Sequence, residues 1–387
     1  MSQPDAHAVR LARAYLLRVA EPPAVALARL VGVHGPVRAA ELVQLDDVPE
    51  AVRQETGARA RLELAERDLA DAAAAGGVLL TPEDPGWPAW ALLALDVAAG
   101  AGARWAGQPI GLWVRGTGSL DGFAERAVAM VGARACTGYG EYHAAELAHG
   151  LVGRGFGVVS GAAYGIDGAA HRGAIAAGGP TVAVLGCGLD VGYPAGHVRL
   201  LDQVAEHGLV ISEYPPGTPP ARHRFLVRNR LIAALAAATL VIEAGVRSGA
   251  RNTAATAGAL GKPVMALPGP ASSAMSVGCH QLIRAGDASL VSTVAEIAET
   301  VGPLGMELPA GQDGPDRVTD RLDPVALRVH EALGLRTGHA VERIASDSGV
   351  PVARVRAVLP ALELDGLAQR CAEGWRRSSP RQGRGDA

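Results

Sequence analysis

At 387 residues the chain can form two or three domains and bury a large core without disulfide staples. Its 36 Lys+Arg against 39 Asp+Glu give a net charge of -3, which excludes a strongly basic DNA-coating protein. A local basic groove stays possible, because a patch acts through a field screened beyond about 10 Å at ordinary salt. The four cysteines, Cys136, Cys187, Cys279 and Cys371, form no C-x-x-C pair and stand beside no second ligand at metal spacing, so no metal site and a reducing cytosol are expected.

Residues 1–18 carry charge through their apolar stretches and lack a signal-peptide core. The longest nearly apolar run, 231–242, is about half a bilayer span, so a cytoplasmic protein with no membrane span is expected. From 11 to 75 apolar residues recur at helical spacing, broken by Pro22-Pro23 and by Gly32-Val33-His34-Gly35. This reads as a small helical domain of SAM or helix-hairpin-helix type over 1–75. The Gly-Val-His-Gly turn either faces a phosphate with its backbone N–H groups or is a plain interhelical turn.

Residues 77–109 read as a Pro/Trp/Ala/Gly-rich connection into a short strand at 110–114. Apolar runs then recur at 128–131, 157–160, 182–185, 209–212, 240–242 and 264–267, with segments of helical length at 140–154, 166–177, 195–207, 225–236 and 249–260 between them. Continuous apolar strands alternating with helices predict an α/β fold over 76–302, an extended Rossmann-like parallel sheet covered on both faces. A Pro/Gly/Asp-rich linker is expected at 303–317. Helices at 322–333, 340–346 and 352–364, followed by a hairpin over 367–377, predict a winged helix within 318–378. The polar, arginine-bearing tail 379–387 is expected to be disordered.

In open parallel sheets ligands gather at the carboxyl ends of the strands. The first strand there runs into Gly132-Ala133-Arg134 and then Gly138 and Gly140; the second into Ser160-Gly161, Tyr164 and Gly165; the third into Gly186-Cys187-Gly188. Glycines at successive strand ends let backbone N–H groups approach an anion, which predicts a phosphate-binding crest. The spacing is not G-x-G-x-x-G and no ribose-binding acid follows, so a dinucleotide site is not indicated. Further charge comes from Arg222, Arg224, Arg228 and Arg230 around Asn229, and from Arg247 and Arg251 around Ser248-Gly249. Guanidinium forks suit phosphates and stack on bases, hence a single strand more than a neutral metabolite. Arg228 and Arg230 either serve that strand or pair with Glu213 or Glu243. Arg134 is expected to face the ligand. Asp167 and His171, four apart, share a helical face; with no nucleophile elbow or metal triad beside them they are read as a helix cap and a packed histidine. Lys262 is the only lysine, and the arginine excess reads as codon composition.

These motifs occur in one order: Val131-Gly132-Ala133-Arg134; Ser160-Gly161 with Gly165-Ile166-Asp167 and His171; Gly186-x-Gly188 with Asp190 and Tyr193-Pro194; Ser212-Glu213; Phe225 with Arg228-Asn229-Arg230; Glu243-Ala244 with Ser248-Gly249; Pro268-Gly269 with Gly278, Leu282 and Ile283. As a set over 77–301 they closely resemble the DprA/Smf family of bacterial DNA-processing proteins. The resemblance implies a protein that binds and protects incoming single-stranded DNA, forms a homodimer, and helps load the RecA recombinase during natural transformation, with no catalysis and no cofactor. It implies that Arg134 is the phosphate-contacting arginine and that Ser160, Gly161 and Gly165 frame the same pocket. The chain departs from the family at Tyr164, where many relatives are basic, and at Phe225-Leu226, where Phe-Pro is usual; Tyr164 exchanges a charge for a ring that can stack on a base. Two other readings are a nucleotide-processing Rossmann-like hydrolase, against which the turn Ser248-Gly249-Ala250-Arg251-Asn252-Thr253 lacks the expected glycine cluster, and a duplex-binding regulator acting through the winged helix, which carries Arg354 and Arg356 on its recognition helix and Arg370, Arg376 and Arg377 on its wing. That wing could equally bind protein.

Overall fold

The computed structural model describes residues 5–302, 319 and 322–378; the 303–317 linker and the 379–387 tail lie outside the described residues. The chain divides into two compact units, Met1–Leu308 and Pro309–Ala387.

The first unit opens with five helices, α1 (Ala6–Val19), α2 (Val25–His34), α3 (Pro36–Gln44), α4 (Glu50–Thr56) and α5 (Ala65–Ala74). Next come β1 (Gly77–Leu80), α6 (Ala89–Gly100) and β2 (Leu112–Gly116). The regular alternation then runs β3 (Ala127–Val131), α7 (Gly138–Gly153), β4 (Gly157–Ser160), α8 (Ile166–Ala176), β5 (Thr181–Leu185), α9 (Val198–His207), β6 (Leu209–Ser212), α10 (Arg222–Ala234), β7 (Ala238–Val241), α11 (Gly249–Ala259) and β8 (Val264–Ala266). It closes with α12 (Val277–Ala285), β9 (Ser289–Leu290) and α13 (Val294–Val301). Strands β3 to β8 fall where the apolar runs predict them. The 77–109 stretch corrects the expectation of an irregular connection, since it contains β1 and α6. Both were hidden for physical reasons. The first is only four residues long, and α6 is apolar on every side except Asp96, so it shows no helical periodicity.

The nine strands form one sheet in the order β1-β2-β6-β5-β4-β3-β7-β8-β9. From β6 to β9 all neighbours are parallel, while β2 runs antiparallel to β6 and to β1. Alternate strand residues feed opposite cores. Val182 and Val184 of β5 join α6, α10, α11 and α12 on one face; Ala183 and Leu185 join the N-terminal helices and α9 on the other, where α7, α8 and α13 continue the layer beyond them. Leu16, Leu27 and Val43 of the N-terminal helices thus share a core with Trp113 and Val210 of the sheet. The boundary near residue 75 separates helix from strand along the chain, but not in space. Chain progression turns back between β3 and β7, and the carboxyl ends of those two strands therefore flank the switch-point crevice. At the opposite, amino end of the strands, Lys262 donates to the carbonyls of Ala234 and Ala236, closing the last turn of α10.

The second unit holds α14 (Pro324–Glu331), α15 (Val341–Ser348) and α16 (Val352–Leu364), then β10 (Ala368–Cys371) paired antiparallel with β11 (Gly374–Arg377). Asp323 caps α14 through the amides of Val325 and Ala326. Val329, Ile344, Val355, Leu359 and Trp375 meet in a separate core, which gives the winged-helix arrangement that the sequence predicts.

Candidate nucleic-acid interface

The loops after β3 and β7 and the N-terminal half of α10 enclose an open cleft of about 910 Å³ at the switch point. Four arginines line it, Arg134, Arg222, Arg228 and Arg247, against a single carboxylate, Asp167. A cleft biased this way concentrates a polyanion.

Arg134 carries the geometry. It is exposed, and among the described residues it has no carboxylate partner. Its guanidinium lies 5.3 Å from the centroid of the Phe225 ring, and Tyr193 stacks on Phe225 at 5.3 Å with 23° between the planes. The cation is thus held by aromatic contact, which orients it without neutralising it. Behind it the loop is pinned. Ala133 donates its amide to the Glu243 carbonyl at 2.8 Å, and the buried Glu243 carboxylate accepts from the Thr137 amide at 2.9 Å and the Thr137 hydroxyl at 2.6 Å. Thr137 in turn caps α7 through the Gly140 amide. No hydrogen bond among the described residues engages the amides of Arg134 and Ala135, so these remain available to an anion.

Several residues expected in the site are instead structural. A Cβ at Gly132 would meet the Ile166 side chain, at Gly140 the Glu243 carboxylate, at Gly161 the Arg228 guanidinium, and at Gly165, which has φ +77°, the carbonyls of Ala133 and Arg134. These four glycines are needed for protein packing. The Gly161 amide, with that of Ala163, donates to Asp167, leaving neither free for a phosphate. Ser160 is fully buried and donates to the Met130 carbonyl at 2.6 Å. Arg230 is corrected outright. It is buried and forms a two-pronged pair with Glu213, 2.7 Å on each arm, so it cannot reach a ligand. Arg251 is not on the cleft wall and is held by the Val246 carbonyl and Gln281. Arg224, in the same cluster, is held by Glu21 and lies over Tyr214. Burial alone would raise the Glu21 carboxyl, but the bonds from Arg224, Arg59 and His223 hold it below its ordinary range.

Arg228 lies between these cases. It lines the cleft yet is buried, donating Nη1 to the Val184 carbonyl at 2.6 Å, and its Nε has no partner. Burial depresses its pKa, opposed by the charge of Asp167; burial likewise raises Asp167, opposed by Arg228 and the two amides. Asn229 lines the cleft and donates to Asn252 at 3.1 Å. Ser248 caps α11 through the Ala250 amide beside exposed Arg247 and Gly249, and Gly138 opens α7 with free space around it. Tyr164 lies on a narrow extension of the cleft with Gly161, edge-on to His197 at 4.8 Å, its hydroxyl accepting from the Gly196 amide. The residue is 48% exposed, which leaves side-chain surface accessible to a base. Ala162, between Gly161 and Tyr164, sits at φ +52°, a conformation that non-glycine residues adopt at a cost of about 1–3 kcal/mol and that clusters at ligand-binding loops.

The hydrolytic pairing of Asp167 with His171 does not form. Asp167 accepts loop amides, close to the capping role expected, and His171 is wholly buried with Nδ1 2.7 Å from the Thr181 hydroxyl. Among the described residues no group of three or more His, Cys, Asp or Glu could hold a metal ion, and no helix is long and apolar enough to cross a membrane. In the second unit Arg356 pairs with Glu342 at the surface, where both side chains stay exposed, and Arg377 donates to the carbonyls of His330 and Glu331.

Comparison with known proteins finds a family match. The family described as DNA recombination-mediator protein A matches residues 79–302. The chain belongs to the DprA/Smf family. The DprA winged helix domain matches residues 313–374. The DNA processing protein DprA of Mycobacterium tuberculosis (strain ATCC 25618 / H37Rv) is 51% identical over 365 residues, 94% of this chain and 93% of that one. Protein Smf of Escherichia coli (strain K12) is 38% identical over 265 residues, 67% of this chain and 70% of that protein. The X-ray structure of DNA processing protein A from Streptococcus pneumoniae matches with a TM-score of 0.59 at 30% identity, covering 74% of this chain and 95% of that one. The DprA/Smf motifs read from the sequence thus identify the family, whose members are DNA-processing proteins. What the motifs did not reveal is the aromatic support, Tyr193 under Phe225, and the part of the wall formed by Asn252 and Met275. Arg222, the first arginine of the cluster named from the sequence, does line the cleft.

Proposed function

We propose that the switch-point cleft binds single-stranded DNA and that the protein protects the strand and helps load RecA on it, acting as a homodimer. The observation that supports this best is Arg134, an uncompensated guanidinium propped on an aromatic ring at the mouth of an arginine-lined cleft. Family membership supports the DNA-processing role. The RecA and dimer parts extend the reading through the family resemblance. Base stacking against Tyr164 and charge from Arg134, Arg222 and Arg247 suit an unpaired strand, whose bases and phosphates are both accessible.

The test is binding of a fluorescent oligothymidylate across a salt series. Log affinity should fall linearly with log salt, at about -0.7 per phosphate engaged, and Arg134→Ala should weaken binding and flatten that slope by about 0.7. Salt-independent binding, or none, would overturn the reading. RecA loading is checked separately by the onset of RecA's single-strand-dependent ATP hydrolysis with and without the protein, and the dimer by sedimentation equilibrium.

A further inference from the structure

A second aromatic group lies beside the cleft. Tyr139, Tyr142 and His143 share one face of the first turns of α7, spaced three and four apart. They form a ladder of rings. The Tyr139 hydroxyl donates to the Pro268 carbonyl at 2.6 Å, which anchors the inner ring. The His143 ring sits 4.3 Å from Tyr139, and Tyr142 packs on His143 at 5.2 Å, nearly perpendicular at 78°. The outermost ring, Tyr142, is 61% exposed. Each inner ring limits the rotamers of the next, so the exposed ring is offered to solvent at little further cost in conformational entropy.

The inner end of this ladder, Tyr139, lies between two loops that line the cleft. The loop that leads into α7 carries Arg134 and Ala135, and the loop that begins at Pro268 carries Met275, another lining residue. A strand leaving the cleft over either loop meets these rings. Two acids flank the rings: Glu141 pairs with Arg172 at 3.0 Å, while Glu146, 4.0 Å from His143 and bonded by the Tyr142 hydroxyl, keeps its negative charge at the edge of the patch. The patch therefore offers a π-face without a net positive field, which suits a base and gives little to a phosphate.

We propose that the Tyr139–His143–Tyr142 ladder is a second nucleobase-stacking surface, which takes the single strand where it runs out of the arginine cleft. The proposal rests on the single-stranded DNA reading above. It divides the labour, with charge in the cleft and stacking on α7.

The experiment uses the full chain and oligothymidylates of roughly six and roughly twenty nucleotides, a range that brackets common single-strand site sizes. Tyr142→Ala should leave the short oligomer's affinity unchanged and weaken the long one about five-fold or more, with the salt slope of both unaltered. Tyr142→Phe should bind both as the wild type does. A long oligomer that is abasic beyond its first six or so positions should bind wild type and Tyr142→Ala alike. Wild-type affinity of Tyr142→Ala for the long oligomer would overturn the proposal, as would an equal loss at both lengths, which would mean the ring supports the cleft. If the wild type binds neither oligomer, the reading beneath it fails first and this one falls with it.

Discussion

Two arginines show how little a residue's type says by itself. Arg134 and Arg230 both stand in glycine- or arginine-rich stretches of the same sheet rim. One is exposed over Phe225, and the other is buried against Glu213. Arg230→Ala would leave the Glu213 carboxylate buried without its partner, at about 3–5 kcal/mol. The urea midpoint should therefore drop sharply; an unchanged midpoint would show that the pair contributes little. Arg134→Ala should instead leave the midpoint within about 0.5 kcal/mol of wild type, as expected for a surface change, while weakening DNA binding. Gly161→Ala links the two kinds of role, because its methyl group would occupy the space of the Arg228 guanidinium. It is expected to lower DNA affinity by displacing Arg228 from the cleft wall, checked by the same oligothymidylate titration. The sequence separated these residues poorly because the deciding partner is remote. Glu213 lies 17 positions before Arg230, on a different element, and only the sheet order brings them together.

Among the elements, α8 carries the clearest pH dependence. His171 on α8 is fully buried, and desolvation, assisted by the charges of His197, Arg228 and Arg172, pushes its pKa down from 6.5 to about 3. Its folded form thus binds fewer protons than the unfolded chain between those values. The stability is intact above pH 6.5 and is lost progressively as the pH falls toward 3, by up to about 1.4 kcal/mol per pH unit. Denaturant unfolding at pH 7 and pH 5 should show a loss smaller by about 2 kcal/mol in His171→Gln than in wild type. Equal losses would place the titration elsewhere. The strands and helices of the alternating core were readable because a strand buried on both faces is a near-continuous apolar run, as β3, β4 and β5 are apart from Ser160 and Thr181 at the ends of the latter two. Element α6 was not, since a helix with apolar residues all round has no period to detect. The winged helix was readable because its amphipathic helices and the turn Glu373-Gly374 are local signals.

The whole molecule combines a large sheet unit and a smaller winged-helix unit, each with its own core. Scanning calorimetry should resolve two unfolding transitions, the smaller with the lower enthalpy, because unfolding enthalpy scales with the number of residues at about 0.7 kcal/mol each near 60 °C. One transition matching the calorimetric enthalpy of the entire chain would mean the units unfold together. The site's position at this scale was legible in part. Strand-end loops pointed to the rim, but the crevice between β3 and β7 depends on the strand order, and that order is set by which faces the helices cover.

Lys262, which closes α10 at the amino ends of the strands, is the chain's only lysine, and burial brings its pKa down to about 8. Amine-directed reagents at mildly alkaline pH have this side chain and the α-amino group as their only targets. A label attached there would sit at the pole of the sheet opposite the strand-end loops and would break the two bonds that close α10.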